Sequence, residues 1–455
     1  MEQNQKSSGG FFQFSPFIVF FGCYILLSLY VEHVSSYTAF DLSTIRYGLP
    51  IFSAFLAGIF SLFTFTKKTD LHKKIEIFLS GSSDTSILYM YYIFIFSTAF
   101  SYILSKNGGI HSAVNIGLSY LPVEYILPGI FILVSIFALS IGSSLGSITA
   151  FMPIAYGIAK TLGIDPALMA SIVVSGSMLG DNLSIISDTT IVSAKSTGST
   201  MFEKFRENLW VAIPAFLATI GYLFYLTKSS SLIALPSYAT EINTIDYINI
   251  IPYGVLFLLS IIGLDVLAVL AIASLLGSII GITYGNFSFL EATSFIFEGF
   301  YGQKSMVRIL VLFLFISGLS QVIKHNGGFD YLLNKLKDRA KNPRQAQLLI
   351  ILLTIIVNAT IAINTLSIIL SGPIAKKIGN KFNIPNGRIA CLLDVAATSS
   401  QGFLPYAPMM ILASSLSHVP VLSIMKHLTY QPLLFVSMIA SVFIFKYKAP
   451  EKPKV

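Results

Sequence analysis

Residues 175–190 read Ser175-Gly176-Ser177-Met178-Leu179-Gly180-Asp181-Asn182-Leu183-Ser184-Ile185-Ile186-Ser187-Asp188-Thr189-Thr190, inside an apolar run that extends over 166–194. The chain around it has 455 residues, 54% hydrophobic and 11% charged, whereas a soluble domain carries about 25% charged residues. The solvent that suits this composition is a lipid bilayer, which excludes a soluble enzyme, a secreted disulfide scaffold and a disordered chain. An acid at the centre of a membrane helix costs about 3 kcal/mol, so Asp181 and Asp188 need polar partners. Seven residues apart, they would share one face of an unbroken helix. Gly180 and the surrounding hydroxyls predict a local unwinding instead. Unwound carbonyls beside carboxylates offer the oxygen donors that hard cations favour. A carboxylate in that setting holds either a cation or a proton, because burial and a bound cation act on it in opposite directions.

A spanning helix needs about 20 apolar residues. Runs of that kind occur at 16–35, 47–66, 86–105, 166–194, 208–227, 247–264, 266–285, 306–323, 389–415 and 430–446. Two longer runs, 125–160 and 345–376, are interrupted by small polar residues and read as hairpins that return to the side they entered from. With the N-terminus in the cytoplasm, the inside segments hold 22 of the 29 Lys and Arg residues, counting the stretch from Lys195 to Arg206 and the connection from Lys376 to Arg388. The positive-inside rule then sets the orientation, with both termini cytoplasmic. The same rule accounts for the net charge of +8 without nucleic acid as a partner. The run after Pro16 lacks a small-residue cleavage site and reads as a retained helix. Cys23 and Cys391 both lie in apolar runs and read as core residues.

The second half repeats the first. Asn107-Gly108-Gly109 recurs 219 residues later as Asn326-Gly327-Gly328, and Pro153-Ile154-Ala155 recurs 220 later as Pro373-Ile374-Ala375. Five crossings in the first half start the second from the opposite side, so the repeats are inverted. The expected fold is an all-α polytopic membrane protein, an inverted-repeat secondary transporter. It has about ten transmembrane helices plus two re-entrant hairpins with two broken helices. The organisation follows: a cytoplasmic tail at 1–15, a first repeat at 16–227 with hairpin 125–160 and broken helix 166–194, and an external linker at 228–247. A second repeat at 248–446, with hairpin 345–376 and broken helix 389–415, precedes a tail at 447–455.

The polar residues at membrane depth are the candidate site. In the first half they are Asp181, Asn182, Ser184, Ser187, Asp188 and Thr189, with Ser143 and Ser144 at the hairpin tip. In the second half they are Asp394, Ser400 and Gln401 in the broken helix, with Asn364 and Thr365 at the tip. Sodium is expected at Asp181 and Asp188. Ser147 and Thr149 fit close helix packing equally well. Asp265, between two adjoining runs, reads as a turn residue. No Lys or Arg lies deep in the broken segments, which favours a cation over an anion as cargo. The six histidines fall in loops or at helix ends, with no His-Glu-x-x-His pattern, so an intramembrane enzyme is not expected.

The pattern Gly180-Asp181, Ser184, Ser187-Asp188-Thr189-Thr190 resembles the signature of the NhaC-type sodium/proton antiporter family, within the ion-transporter superfamily. The likeness runs from about 16 to 446 and is strongest over 125–210 and from Leu393-Asp394 to Gln401-Gly402-Phe403-Leu404-Pro405-Tyr406. It implies a prokaryotic inner-membrane antiporter, with Asp181, Ser184, Asp188 and Thr189 at the ion-handling positions. Asn182 and Ile185 stand where many members have a basic residue and a proline, which marks a divergent branch. The alternative on the same fold is a sodium- or proton-coupled carrier of an amino acid or carboxylate. Neither requires a cofactor beyond the transported sodium and protons. The expected partners are the bilayer and the cargo; a homodimer is left open, since no stretch identifies an interface.

Overall fold

The computed structural model describes residues 10–35, 43–65, 69–83, 85–120, 122–229, 247–301, 304–329, 331, 335 and 339–445. The expected linker at 228–247 and the tails at 1–15 and 447–455 therefore lie largely or wholly outside the described residues. The first half forms α1 (Ser15–Ser35), α2 (Ser43–Ser61), α3 (Leu71–Ser82), α4 (Thr85–Lys106), α5 (Gly109–Tyr120), α6 (Ile126–Ile141), α7 (Ser144–Leu162), α8 (Pro166–Leu183), α9 (Asp188–Thr197) and α10 (Met201–Ser229). The second forms α11 (Tyr247–Ile261), α12 (Val266–Thr283), α13 (Phe289–Tyr301), α14 (Lys304–His325), α15 (Pro343–Ile361), α16 (Asn364–Lys381), α17 (Asn386–Gln401), α18 (Pro408–Ser417), α19 (Val421–His427) and α20 (Tyr430–Ile444). The described residues contain no strand.

The spacing of the repeated motifs is also the spacing of the helices. A shift of 219 carries the bounds of α4 onto those of α14, and a shift of 220 carries those of α9 onto α18. The Asn-Gly-Gly repeat has a local cause. Asn107 Oδ1 accepts from the Gly109 amide at 2.9 Å, which caps the start of α5, while Gly108 takes the left-handed conformation at φ 83°. Gly327 does the same at φ 73°. Each asparagine also donates to a distant carbonyl, Asn107 to Gly277 at 3.3 Å and Asn326 to Thr64 at 3.4 Å. Each motif thus ties its own half of the chain to the other.

The chain divides into two compact units, each drawing on both halves. One comprises Met1–Tyr91 and Lys304–Ala340, where α14 packs on α2 and α3. The other comprises Tyr92–Gln303 and Lys341–Val455 and holds both helix pairs expected as hairpins, α6–α7 and α15–α16, with both broken helices. Here α9 packs on α16 and α17, and α18 packs on α7 and α8, again across the halves.

Four described stretches are long and apolar enough to cross a membrane: Pro166–Thr197, Met201–Lys228, Val266–Thr283 and Pro343–Ile361. A fifth, α18 with α19, is bent by 105°. Shorter apolar helices such as α6, α11 and α20 accompany them. In α8–α9 the break comes at Ser184–Ser187, beyond Asp181. Gly180 does not unwind the helix as its sequence context suggests. A Cβ there would lie 2.5 Å from Ala138 Cβ and from the Leu139 amide, and would also strike the Ser135 carbonyl. Gly176, one turn earlier, lies against the Phe131 carbonyl, 2.8 Å from where its Cβ would be. These glycines set how closely α8 approaches α6.

Gly180→Val should therefore lower the melting temperature of the purified protein, at an overpacking cost of about 1–3 kcal/mol. Gly221→Ala on α10, where a Cβ meets open space, should be neutral or stabilising in the same fluorescence melt.

Candidate functional site

Asp165 accepts from the Ala167 amide at 2.9 Å and starts α8, with Pro166 preset for the first turn. The helix ends at Leu183, and Ser184 adopts extended backbone. The break is packed against the first hairpin tip: a Cβ on Gly142, itself left-handed at φ 64°, would stand 2.9 Å from the Ser187 amide. The second tip matches it in plan. Ala362 is left-handed at φ 60° and its carbonyl accepts from Gln401 Nε2 at 3.3 Å, while Tyr406 donates to the Ala359 carbonyl at 2.5 Å. In both halves the hairpin tip rests on the broken helix.

Asp181 lies in the last turn of α8 and is 8% exposed. Ser187, across the break, donates to its carboxylate at 2.6 Å, and the Thr189 hydroxyl lies 3.0 Å from Ser187. The Ser187 proton is committed to the carboxylate, so Thr189 donates to Ser187. Ser144 faces the same carboxylate from the first hairpin. Ser143 caps α7, accepting from the Gly146 amide at 3.2 Å, and has a structural role.

A second centre adjoins the first. Asp394, on α17, is fully buried, and its Oδ2 lies 2.5 Å from Lys204 Nζ on α10. The same oxygen accepts from Asn182 and Asn208 side-chain amides, each at 3.0 Å. Lys204 spends its other protons on the Asn182 carbonyl at 3.0 Å and Thr190 Oγ1 at 2.6 Å. Thr190 in turn donates to the Ser184 carbonyl at 2.7 Å. Carbonyls released where α8 ends are therefore satisfied by side chains from α9 and α10.

Asp188 stands apart. It is exposed at the start of α9, and its charged neighbour is Asp265, which caps α12 by accepting from the Leu267 amide at 2.9 Å. Ser400 accepts from Asn358 Nδ2 at 2.8 Å and fastens α17 to α15. Asn364 is buried with its Oδ1 unpaired, Thr365 is half-buried, and Gln401 also keeps an unpaired oxygen. Ser147 and Thr149 bond back to the carbonyls of Ser143 and Leu145, as packed membrane-helix hydroxyls do.

Two expectations need correction. Lys204 and Arg388, counted with the cytoplasmic charges, are both buried, at 1% and 0% exposure. Arg388 bonds Gln347 at 2.9 Å and Ser441 at 2.6 Å. Lys204 reaches the site from the helix after the broken one, so a base does stand beside the acids. The signal was the early start of α10, at Met201 instead of 208, which carries Lys204 and Asn208 into one helical face at i and i+4.

The profile of the Na+/H+ antiporter family matches residues 9–228 and again 225–447, one match on each half. The chain belongs to the Na+/H+ antiporter family. Among curated relatives it is 24% identical over 324 residues to the Na(+)/H(+) antiporter NhaC of Alkalihalophilus pseudofirmus, covering 66% of this chain and 70% of that one. It is 22% identical to a malate-2H(+)/Na(+)-lactate antiporter of Bacillus subtilis, over 71% of this chain and 74% of the relative. It is also 22% identical to the arginine/ornithine antiporter ArcD of Halobacterium salinarum, over 72% of each. This antiporter is a cation/proton exchanger and an integral membrane protein, not an enzyme. At these identities it is a divergent member of the NhaC type.

Removing one partner of a buried ion pair strands the other charge, at a cost of about 3–5 kcal/mol. Lys204→Met should lower the melting temperature accordingly. Adding Asp394→Asn should restore much of the loss, whereas two independent sites would give additive losses.

Proposed function

We propose that the antiporter exchanges sodium for protons across the prokaryotic cytoplasmic membrane, with Asp181 and Asp394 as its central acids and both termini in the cytoplasm. The carrying observation is that these two buried acids, one from each half, meet through consecutive residues: Asp181 holds the break, and Asn182 bonds Asp394. Asp181, with Ser187, Thr189 and Ser144, offers a carboxylate and hydroxyl oxygens to sodium or a proton, not both at once. Asp188, exposed at the start of α9, lies outside that set of oxygens. Helix pairs α6–α7 and α15–α16 are re-entrant hairpins, and the two halves are inverted repeats. The common 219-residue spacing and the two family matches support the repeat. Backbone breaks at membrane depth are tolerated where they line a cavity or bury in protein, which supports placing the cargo there. Alternating access moves hairpins and broken helices together, presenting the acids to each side in turn.

A second reading keeps the fold and changes the cargo to a small carboxylate or amino acid. Lys204 is the observation behind it, a buried base of the kind an anionic cargo would use, and two relatives carry names of that class. The base is already neutralised by Asp394, so the cation reading is preferred.

Inside-out vesicles acidified within and followed by a pH dye decide between them. Sodium or lithium should evoke dequenching, and Asp181→Asn or Asp394→Asn should abolish it in protein shown to be inserted. Dequenching by malate, lactate or arginine, with none by any cation, would make the second reading the correct one.

A further inference from the structure

Around the Lys204–Asp394 pair, hydrogen bonding is saturated on one side and absent on the other. All three ammonium protons are used, and Asp394 Oδ2 accepts three bonds. Yet Asp394 Oδ1, Asn182 Oδ1, Asn208 Oδ1 and Ser184 Oγ are all buried without a partner. The four residues are each at most 1% exposed. Buried polar atoms in folded proteins nearly always have partners, so four in one neighbourhood require an explanation.

The orientation of the two amides is fixed by chemistry. Asn182 and Asn208 each turn their NH2 toward Asp394 Oδ2 at 3.0 Å. Flipping either would set an amide oxygen against a carboxylate oxygen. With the NH2 groups so placed, covalent geometry holds Asn182 Oδ1 and Asn208 Oδ1 within about 5 Å of Asp394 Oδ2. Asp394 Oδ1 shares that carboxylate. Ser184 Oγ sits on the residue whose carbonyl Thr190 bonds, one link from Lys204.

The character of these atoms decides what completes them. All four are oxygens, and no nitrogen of these residues is left unpaired. Three of the four are acceptors only and the Ser184 hydroxyl brings a single proton, so a ligand rich in acceptors, such as a carboxylate, meets mostly acceptors there. Formal charge agrees: Asp181 and Asp394 against Lys204 leave one negative charge among the three buried groups. Oxygen-only donor sets with a carboxylate member are the sites of hard cations.

We infer that the unpaired oxygens of Asn182, Ser184, Asn208 and Asp394 form a binding seat for one dehydrated, sodium-sized monovalent cation, adjoining the Asp181 carboxylate and its hydroxyl partners. The seat rests on the sodium/proton reading and locates the cargo within it. It places the cation between the end of α8, α10 and α17, which explains why two asparagines rather than apolar residues occupy these positions.

Radioactive sodium binding to the purified full-length protein tests it, alongside sodium-evoked proton movement by the wild type in vesicles. Ser184→Ala is the sharpest variant. Its hydroxyl bonds nothing, so a purely structural role predicts unchanged or higher stability and unchanged sodium affinity. Ser184→Ala and Asn208→Ala should each weaken sodium affinity on the order of tenfold, with Ser184→Ala keeping the sodium-free melting temperature. Should Asn208→Ala fail to fold, Ser184→Ala decides alone. Unchanged affinity in Ser184→Ala, in a protein whose wild type exchanges sodium, overturns the seat and leaves the antiport reading standing, the oxygens then holding water. A wild type that neither binds nor exchanges sodium overturns both.

Discussion

Lys204 and Asp394 form an ion pair with almost no access to solvent, and much of the surrounding structure answers to it. Taking two charges out of water costs several kcal/mol per ion, and attraction repays this only when further hydrogen bonds satisfy both partners. That requirement is what brings Asn182, Asn208 and Thr190 to the pair. The break in the first half depends on it in turn. Ending α8 at Leu183 releases carbonyls that lipid cannot satisfy; the Asn182 carbonyl is taken by Lys204 and Asn208, and the Ser184 carbonyl by Thr190. The ion pair and the unwound segment therefore stabilise one another.

The two halves share a plan and differ in charge. Both have a hairpin tip in left-handed conformation resting on a broken helix, with Gly142 in one and Ala362 in the other. The residue 219 positions before Asp394 is Ser175, which donates to Gln431 Oε1 at 3.2 Å. The acid of the second half thus stands where the first half has a hydroxyl, and its ammonium partner Lys204 comes from the first half.

Much of this was legible beforehand. The helical class and the apolar runs come from local composition and spacing, and so does the interruption of the 166–194 run, which was expected at Gly180 and falls at Ser184–Ser187. Asp181, Ser187 and Thr189 lie together in the structure, because they stand within one turn or one break of each other. The errors share a physical cause. Gly180 was read for its backbone freedom, when its lack of a side chain serves the approach of α6. Asp188 was expected beside Asp181 at the cation position, and the structure leaves it exposed at the start of α9. Lys204 was read as a cytoplasmic loop charge, because the apolar run after it starts at 208.

The sequence by itself determined the solvent, the helical class, the duplication and which apolar run must break, since each is a property of composition or of residues close along the chain. Only the tertiary structure decided which buried charges meet. Lys204 is a surface lysine or the counter-charge of the site depending on whether α10 packs along α17, and that packing is set by side-chain shape over the whole helix, not by any residue near Lys204 in the chain.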